Sequence, residues 1–248
     1  MKRLAAALVA ASVLAAPVFA QAPADPVAAA IADTTRPPDD VARDAARKPA
    51  VLLAFVDVKP GMAVVDWVPG GGYFTRLFAD VVGDEGKVYA WVPAELKDKY
   101  DLGKNAEAIA IQHRNVLAVI EPMLATTSIR DADIVWTSQN YHDLHTKGFG
   151  DVDTLAFNKQ VFDMLKPGGY YIVVDHRAAE GAPVDVAESL HRIDPAIVKR
   201  EVEAAGFVFD SESVALANPA DDHTLNVFDE KVRGHTDQFV YKFKKPAS

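Results

Sequence analysis

The sequence predicts a single α/β domain whose mostly parallel sheet is covered by helices on both faces. Three observations predict it. Short apolar runs alternate with helical stretches along the chain; a run of glycines joins one such strand to the helix after it; and the 248-residue chain is 50% hydrophobic and 25% charged, the balance of a soluble globular protein. A chain of this length buries a sizeable core without staples.

Cysteine is absent, which excludes disulfides, a thiol nucleophile, a thiolate metal centre and a lipid-bearing N-terminal cysteine. The formal charge is −9 and the acidic residues are scattered. A basic groove for nucleic acid is therefore not expected as a main function.

The N-terminus has its own pattern. Lys2 and Arg3 precede an uncharged apolar run from Leu4 to Ala16, and Pro17-Val18-Phe19-Ala20 offers small residues to a signal peptidase. Residues 1–20 read as a cleavable signal, cut between Ala20 and Gln21. The apolar run is too short for a membrane span. A periplasmic or secreted protein without a stable membrane anchor is expected. Residues 21–38, rich in Ala and Pro, read as a flexible tether, and residues 39–248 as the domain.

From Asp39 to Phe55 the pattern is helical, interrupted at Pro49. Lys59-Pro60-Gly61 is a turn, and Met62 to Trp67 suits a buried parallel strand. Gly70 to Gly72 lead into a helix through Phe74, Leu77 and Phe78. A second strand follows at Lys87 to Trp91, then a helix within Ala94 to His113. Val116 to Ile120 and Ala132 to Thr137 are strands with no clear helix between them. Val152, Leu155, Ala156, Phe162 and Leu165 share one helical face. Leu165-Lys166-Pro167-Gly168-Gly169 ends that helix as a turn before a buried strand from Tyr170 to Asp175. Asp194-Pro195 is an N-cap and first-turn pair, and its helix stops at Gly206. Phe207 to Val214 and Gln238 to Phe243 complete the strands; alternation of Phe239, Tyr241 and Phe243 suggests an antiparallel edge region.

The most informative stretch is Val64-Val65-Asp66-Trp67-Val68-Pro69-Gly70-Gly71-Gly72-Tyr73-Phe74-Thr75. An acidic residue closes a strand, glycines make the turn, and a helix begins. Such a turn lets backbone approach a ligand closely, with unpaired N–H groups at the helix start; it equally serves as a tight turn without a ligand.

This segment resembles the first motif of class I S-adenosylmethionine-dependent methyltransferases, an apolar-apolar-acidic-x-Gly-x-Gly-x-Gly run. Lys87-Val88-Tyr89-Ala90 resembles their second strand, and Leu165 to Gly169 the turn before their fifth. Further segments resemble a group of exported bacterial predicted methyltransferases: Val58-Lys59-Pro60-Gly61-Met62, Asn140-Tyr141-His142-Asp143-Leu144, Asp175-His176, His191-Arg192-Ile193-Asp194 and Thr236-Asp237-Gln238-Phe239. The resemblance covers about residues 39 to 246. It implies a Rossmann-like seven-stranded sheet in the methyltransferase order, its last strand antiparallel, with S-adenosylmethionine over the strand C-termini. Asp66, Gly70, Gly71, Gly72, Trp91 and Asn140 are the cofactor-binding candidates.

Two departures matter. Val68 replaces the first motif glycine and precedes Pro69, which favours extended backbone, so the first strand is expected to run on to Pro69. After Ala90 the superfamily usually carries an acidic residue for the ribose hydroxyls; here Trp91, Val92 and Pro93 follow, and Glu95 is the nearest carboxylate. Trp91 is placed either to stack on an adenine or in the core.

Ligands of open parallel sheets sit outside the strand C-termini. Six of the seven histidines fall in loops leaving that edge: His142, His145, His176, His191, His223 and His235. Three explanations stay open: acid–base work, a metal site with nitrogen and oxygen ligands, and histidines that only tie loops together. The catalytic candidates are His142, Asp143 and His176, with His142 as the base. Adjacent fourth and fifth strands would bring Asp175 and His176 near it, letting a carboxylate orient an imidazole. The long segment from Leu216 to Thr236 reads as a lid or binding element, with disorder as the alternative, though Leu225, Val227 and Phe228 give it something to anchor.

The leading expectation is methyl transfer from S-adenosylmethionine to a small-molecule acceptor. Because that cofactor is made in the cytoplasm, two alternatives stand beside it: a non-catalytic nucleotide- or metabolite-binding protein on this scaffold, and a metal-assisted periplasmic enzyme using the loop histidines.

Overall fold

A computed structural model of the protein describes residues 25–150 and 152–247; the signal segment expected over residues 1–20 lies outside them. Seven strands, β1 (Ala63–Trp67), β2 (Lys87–Pro93), β3 (Val116–Glu121), β4 (Ala132–Ser138), β5 (Leu165–His176), β6 (Val208–Ser213) and β7 (Gln238–Lys244), form one sheet in the order β3-β2-β1-β4-β5-β7-β6. β7 runs antiparallel to both its neighbours, and the other pairings are parallel. β7 is antiparallel as expected but interior; β6 and β3 are the edges.

Nine α-helices accompany the sheet among the described residues, α1 (Pro26–Ala32), α2 (Pro38–Val41), α3 (Asp44–Arg47), α4 (Pro49–Val56), α5 (Tyr73–Val82), α6 (Leu102–Gln112), α7 (Thr154–Met164), α8 (Val186–Leu190) and α9 (Pro195–Ala204), with short 3-10 turns at Ala94–Leu96, Lys99–Asp101 and His142–His145. Among the described residues, no helix is long and apolar enough to cross a membrane.

β1 forms because Ala63-Val64-Val65-Asp66-Trp67 buries four successive side chains, as a central parallel strand must. α5 places Phe74, Leu77, Phe78, Val81 and Val82 against the sheet and stops at Gly83, whose φ of 64° ends the helical ladder. α9 starts as expected: the Asp194 carboxylate accepts the Ala196 N–H at 2.9 Å, with Pro195 in the first turn. Beneath the first strands Trp67 meets Phe157 at 4.6 Å between ring centroids, and Trp91 stacks on Phe157 at an interplanar angle of 5°.

Three expectations are corrected. Residues 25–32 do not belong to a tether: Asp25 accepts the Val27 N–H at 3.0 Å and opens α1, which packs on α4 and α5. Asp-Pro followed by an alanine-rich run is a helix start, because alanine is the best helix former. β1 does not continue to Pro69. Val68 leaves the strand with φ of 52°, held there by its own N–H donating to Trp91 O at 2.9 Å and its carbonyl accepting the Asn140 amide at 3.2 Å. A β-branched residue in left-handed backbone is strained by about 1–3 kcal/mol, so tertiary contacts impose on Val68 the conformation that a glycine would adopt freely. Finally, Leu165 to Gly169 is no simple turn: Leu165 already pairs with Ala132, and the register shifts before Tyr170 meets Ile134.

Candidate functional site

The strand order reverses between β1 and β4, so the chain leaves these neighbouring strands in opposite directions and a crevice opens above their C-terminal ends. Three adjoining cavities fill it, about 480, 350 and 170 Å³ in volume. Gln139, just past β4, lines all three. Its backbone (φ 65°) is held by an N–H bond to Val174 O at 2.7 Å.

The smallest cavity lies over the glycine turn and is lined by Asp66, Val68, Gly70, Gly71 and Asn140 together with Arg43 and Arg47. Gly70 and Gly71 have nothing within 4 Å of where a Cβ would stand, whereas a Cβ on Gly72 would lie 2.1 Å from Ile109 Cδ1. The first two glycines therefore face open space, and the third is demanded by packing. α5 starts above this turn without a side-chain cap, leaving its first N–H groups for a ligand. Asp66 is buried and accepts the Thr75 hydroxyl at 2.6 Å. Burial lifts its carboxyl to about 7, against the opposing pull of Thr75 and Arg47. Arg47 makes no ion pair among the described residues; its guanidinium lies 4.8 Å from the Tyr73 ring centroid, and burial, with Arg43, lowers its pKa.

The largest cavity is lined by Val68, Gly70 and Asn140 on one side and by His142, Asp143, His176 and His191 on the other. His142 is buried at the start of the 3-10 turn that follows β4. Its Nδ1 donates to Asp175 Oδ1 at 2.7 Å, and its backbone N–H donates to Asp175 Oδ2 at 2.7 Å. Burial disfavours the imidazolium, but Asp175, aided by Asp143, outweighs it and raises the His142 pKa. Burial would raise Asp175, and His142 reverses this, lowering it. Asp143, largely enclosed, is pushed up to about 6 by burial. His176 does not support His142: its ring centroid is 6.1 Å away, its Nδ1 bonds Thr236 Oγ1 at 2.7 Å, and burial lowers its pKa to about 4.

Of the histidines singled out in the sequence, His142, His176 and His191 meet in the crevice. His145 bonds Glu201 of α9 at 3.2 Å and His223 bonds Asp237 at 3.0 Å, each tying its own loop down; His235 is exposed and lines none of the three cavities. Trp91 is corrected as a cofactor contact. It is fully buried beneath β2, because its strand position points it at Trp67 and Phe157. Glu95 is also committed, accepting the Met123 N–H at 3.1 and 3.3 Å. Gln139, Arg43 and Arg47 carry no motif and were missed by sequence reasoning; only their position over the switch point marks them.

The segment between β6 and β7 forms one wall of the crevice. Leu216, Val227, Phe228 and Thr236 line the middle cavity. The segment is anchored from below by Arg192, fully buried, whose guanidinium pairs with Asp221 at 2.9 and 3.1 Å and also donates to Leu225 O and Arg177 O.

The strand order, the glycine turn at the switch point and the crevice above it define the class: this is the α/β fold of S-adenosylmethionine-dependent methyltransferases. No family model and no curated protein matches the chain. Among solved structures it is similar to a SAM-dependent methyltransferase from Aquifex aeolicus, with 17% identity and a TM-score of 0.58 over 84% of this chain and 94% of that one. An arsenic(III) S-adenosylmethionine methyltransferase from Chlamydomonas reinhardtii aligns at 16% identity and a TM-score of 0.52, over 91% of this chain and 74% of that one. Aeropyrum pernix fibrillarin, solved with natively bound S-adenosyl-L-methionine, aligns at 10% identity and a TM-score of 0.50, over 75% and 67%. At these identities the likeness is one of fold.

Proposed function

We propose that the protein is an S-adenosylmethionine-dependent methyltransferase acting on a small acceptor. The observation that carries this reading is that the open glycine turn and the His142–Asp175 pair face one crevice at the switch point. The glycine-turn half fits the cofactor: Gly70 and Gly71 leave room for close approach, α5 offers uncapped N–H groups, and Arg47 can meet a carboxylate. The sugar end differs from the superfamily pattern, since Trp91 is core and Glu95 is committed to Met123.

When bound, the cofactor supplies an electrophilic methyl group. The chain's own residues align the acceptor and manage its proton. Asp175 holds the His142 ring with Nδ1–H inward, so the Nε2 lone pair of the neutral ring lies at the cavity wall, 3.3 Å from His191 Nδ1. His142 Nε2 is the group placed to take the acceptor's proton. Asn140, whose amide donates to Val68 O at 3.2 Å and Ser138 O at 2.8 Å, fixes the loop carrying His142 to the glycine turn.

Titration calorimetry with S-adenosylhomocysteine tests the reading. One saturable site is expected, and absence of binding would overturn it. We further propose that the protein belongs to the exported group and is cleaved after Ala20, supported by the basic start and apolar run of the sequence. An intact mass beginning at Gln21 in the periplasmic fraction is the expected result; a full-length cytoplasmic species would contradict it.

A further inference from the structure

At the wall of the largest cavity three side chains converge. His142 Nε2 lies 3.3 Å from His191 Nδ1 and 3.5 Å from Asp143 Oδ1, and His191 Nδ1 lies 3.9 Å from the same Asp143 oxygen. We propose that His142, Asp143 and His191 form a binding site for a divalent transition-metal ion, Zn²⁺ by ligand chemistry. This rests on reading that end of the crevice as the acceptor's.

The distances suit the ligands of an ion, and the His142–His191 contact at 3.3 Å is long for a hydrogen bond. Bonds of about 2.0–2.1 Å at tetrahedral angles set donor atoms about 3.3–3.4 Å apart. Two of the three separations are close to that value and the third closes with a small side-chain adjustment. Two imidazoles and one carboxylate form a nitrogen–oxygen donor set suited to zinc, with a fourth position left to the cavity.

The surroundings complete the site. Metal-bound histidines usually donate their other N–H to a carboxylate or carbonyl, which fixes the tautomer and strengthens the ligand. His142 does so, its Nδ1 bonded to Asp175 at 2.7 Å while its Nε2 faces Asp143 and His191. The Asp143 carboxylate accepts no hydrogen bond among the described residues; the His142 and His191 ring nitrogens lie 3.5 and 3.9 Å from it. Asp143 and Asp175 together bring two negative charges, which a divalent ion balances. His191 adopts φ of 52° at the end of α8, with its ring edge-on to His142 at 5.4 Å between centroids. Backbone strain of this kind persists where the surroundings over-determine it and collects at ligand sites. Glu188 lines the same cavity but accepts the Lys147 N–H at 2.9 Å.

A proton and an ion compete for His142 Nε2. In the ion-free protein that nitrogen is the base. In the loaded protein the ion acidifies an acceptor hydroxyl, thiol or similar group held at its open position, and the proton leaves to solvent. The inference thereby narrows the acceptor to a molecule that carries a metal-binding oxygen, nitrogen or sulfur at the atom to be methylated.

The test uses the mature protein purified without a histidine tag and stripped with a chelator. Calorimetric titration with Zn²⁺ is expected to give one equivalent, and Co²⁺ in its place to give the visible absorption of a low-coordinate site. His191→Asn, chosen because asparagine tolerates left-handed backbone, and Asp143→Asn should each weaken Zn²⁺ by at least about 100-fold and abolish the Co²⁺ bands. Asp175→Asn should weaken it by about 10–100-fold. Less than half an equivalent of Zn²⁺, or unchanged affinity in His191→Asn, overturns the proposal. S-adenosylhomocysteine titrated into the same samples separates the two readings: zinc without nucleoside binding sinks the methyltransferase proposal alone, and nucleoside without zinc binding sinks the metal site alone.

Discussion

The Asp175 carboxylate accepts three N–H groups at 2.7 Å each: the His142 ring, the His142 backbone and the His176 backbone. One buried side chain at the end of β5 thus sets the position and tautomer of an imidazole carried by the loop after β4. An asparagine has a single acceptor oxygen and cannot satisfy all three.

Asp175→Asn should therefore lower methyl transfer by about 10²–10⁴-fold, the usual reach of positioned acid–base catalysis. Leaving one buried donor unpaired should also cost about 1–3 kcal/mol of stability. S-adenosylhomocysteine affinity should stay within about twofold, because Asp175 does not line the glycine-turn cavity. Steady-state kinetics beside calorimetry checks this; a matching collapse of nucleoside affinity would make the pair a structural brace.

The glycine turn offers a paired test. Gly71→Val should keep the circular dichroism of the parent and abolish S-adenosylhomocysteine binding, since its side chain would project into the free space over the turn. Gly72→Ala should impair folding instead, because its Cβ would meet Ile109 at 2.1 Å and the residue sits at φ 82°. Unchanged affinity in Gly71→Val would reduce the turn to a structural device.

Asp66 gives a pH dependence of definite sign. Its folded pKa of about 7 exceeds the ordinary carboxylate value of 3.8, so between those values the native state holds more protons than the unfolded chain. Stability contributed by the neutral carboxyl is full below about pH 4 and is lost as pH rises through 7. The loss is on the order of 4 kcal/mol at most, from about 1.4 kcal/mol per pKa unit. Asp66→Asn keeps an acceptor for Thr75 and should gain on the parent as the pH of urea denaturation moves from 4.5 to 8, a prediction at odds with any constant difference between the two proteins.

Arg192 should govern the segment between β6 and β7 that walls the crevice. Arg192→Met leaves Asp221 buried without its partner, a change that typically costs about 3–5 kcal/mol. Thermal denaturation should show that loss, and limited proteolysis should cut first within residues 216–236. Adding Asp221→Asn should recover part of the stability. Equal proteolysis patterns in parent and Arg192→Met would mean that Val227 and Leu216, both buried, hold the segment without the ion pair.

The sequence by itself determined the strand–helix alternation, the glycine turn after Asp66, the capped start of α9 and the histidine-bearing loop after β4. All of these are local signals: apolar runs, a glycine run, an Asp-Pro cap. The helix at Pro26–Ala32 was equally local, its Asp25-Pro26 start hidden by an alanine-rich composition. Tertiary structure alone decided the rest. Strand pairing set β4 beside β5 and so gave His142 the carboxylate of Asp175, 33 residues away. It brought His191 from the end of α8 against Asp143, and it put Arg47 over the glycine turn. It also turned Trp91 into core and held Val68 at a glycine's φ. No periodicity or spacing encodes such contacts, because they depend on which strand ends become neighbours at the reversal of the sheet order.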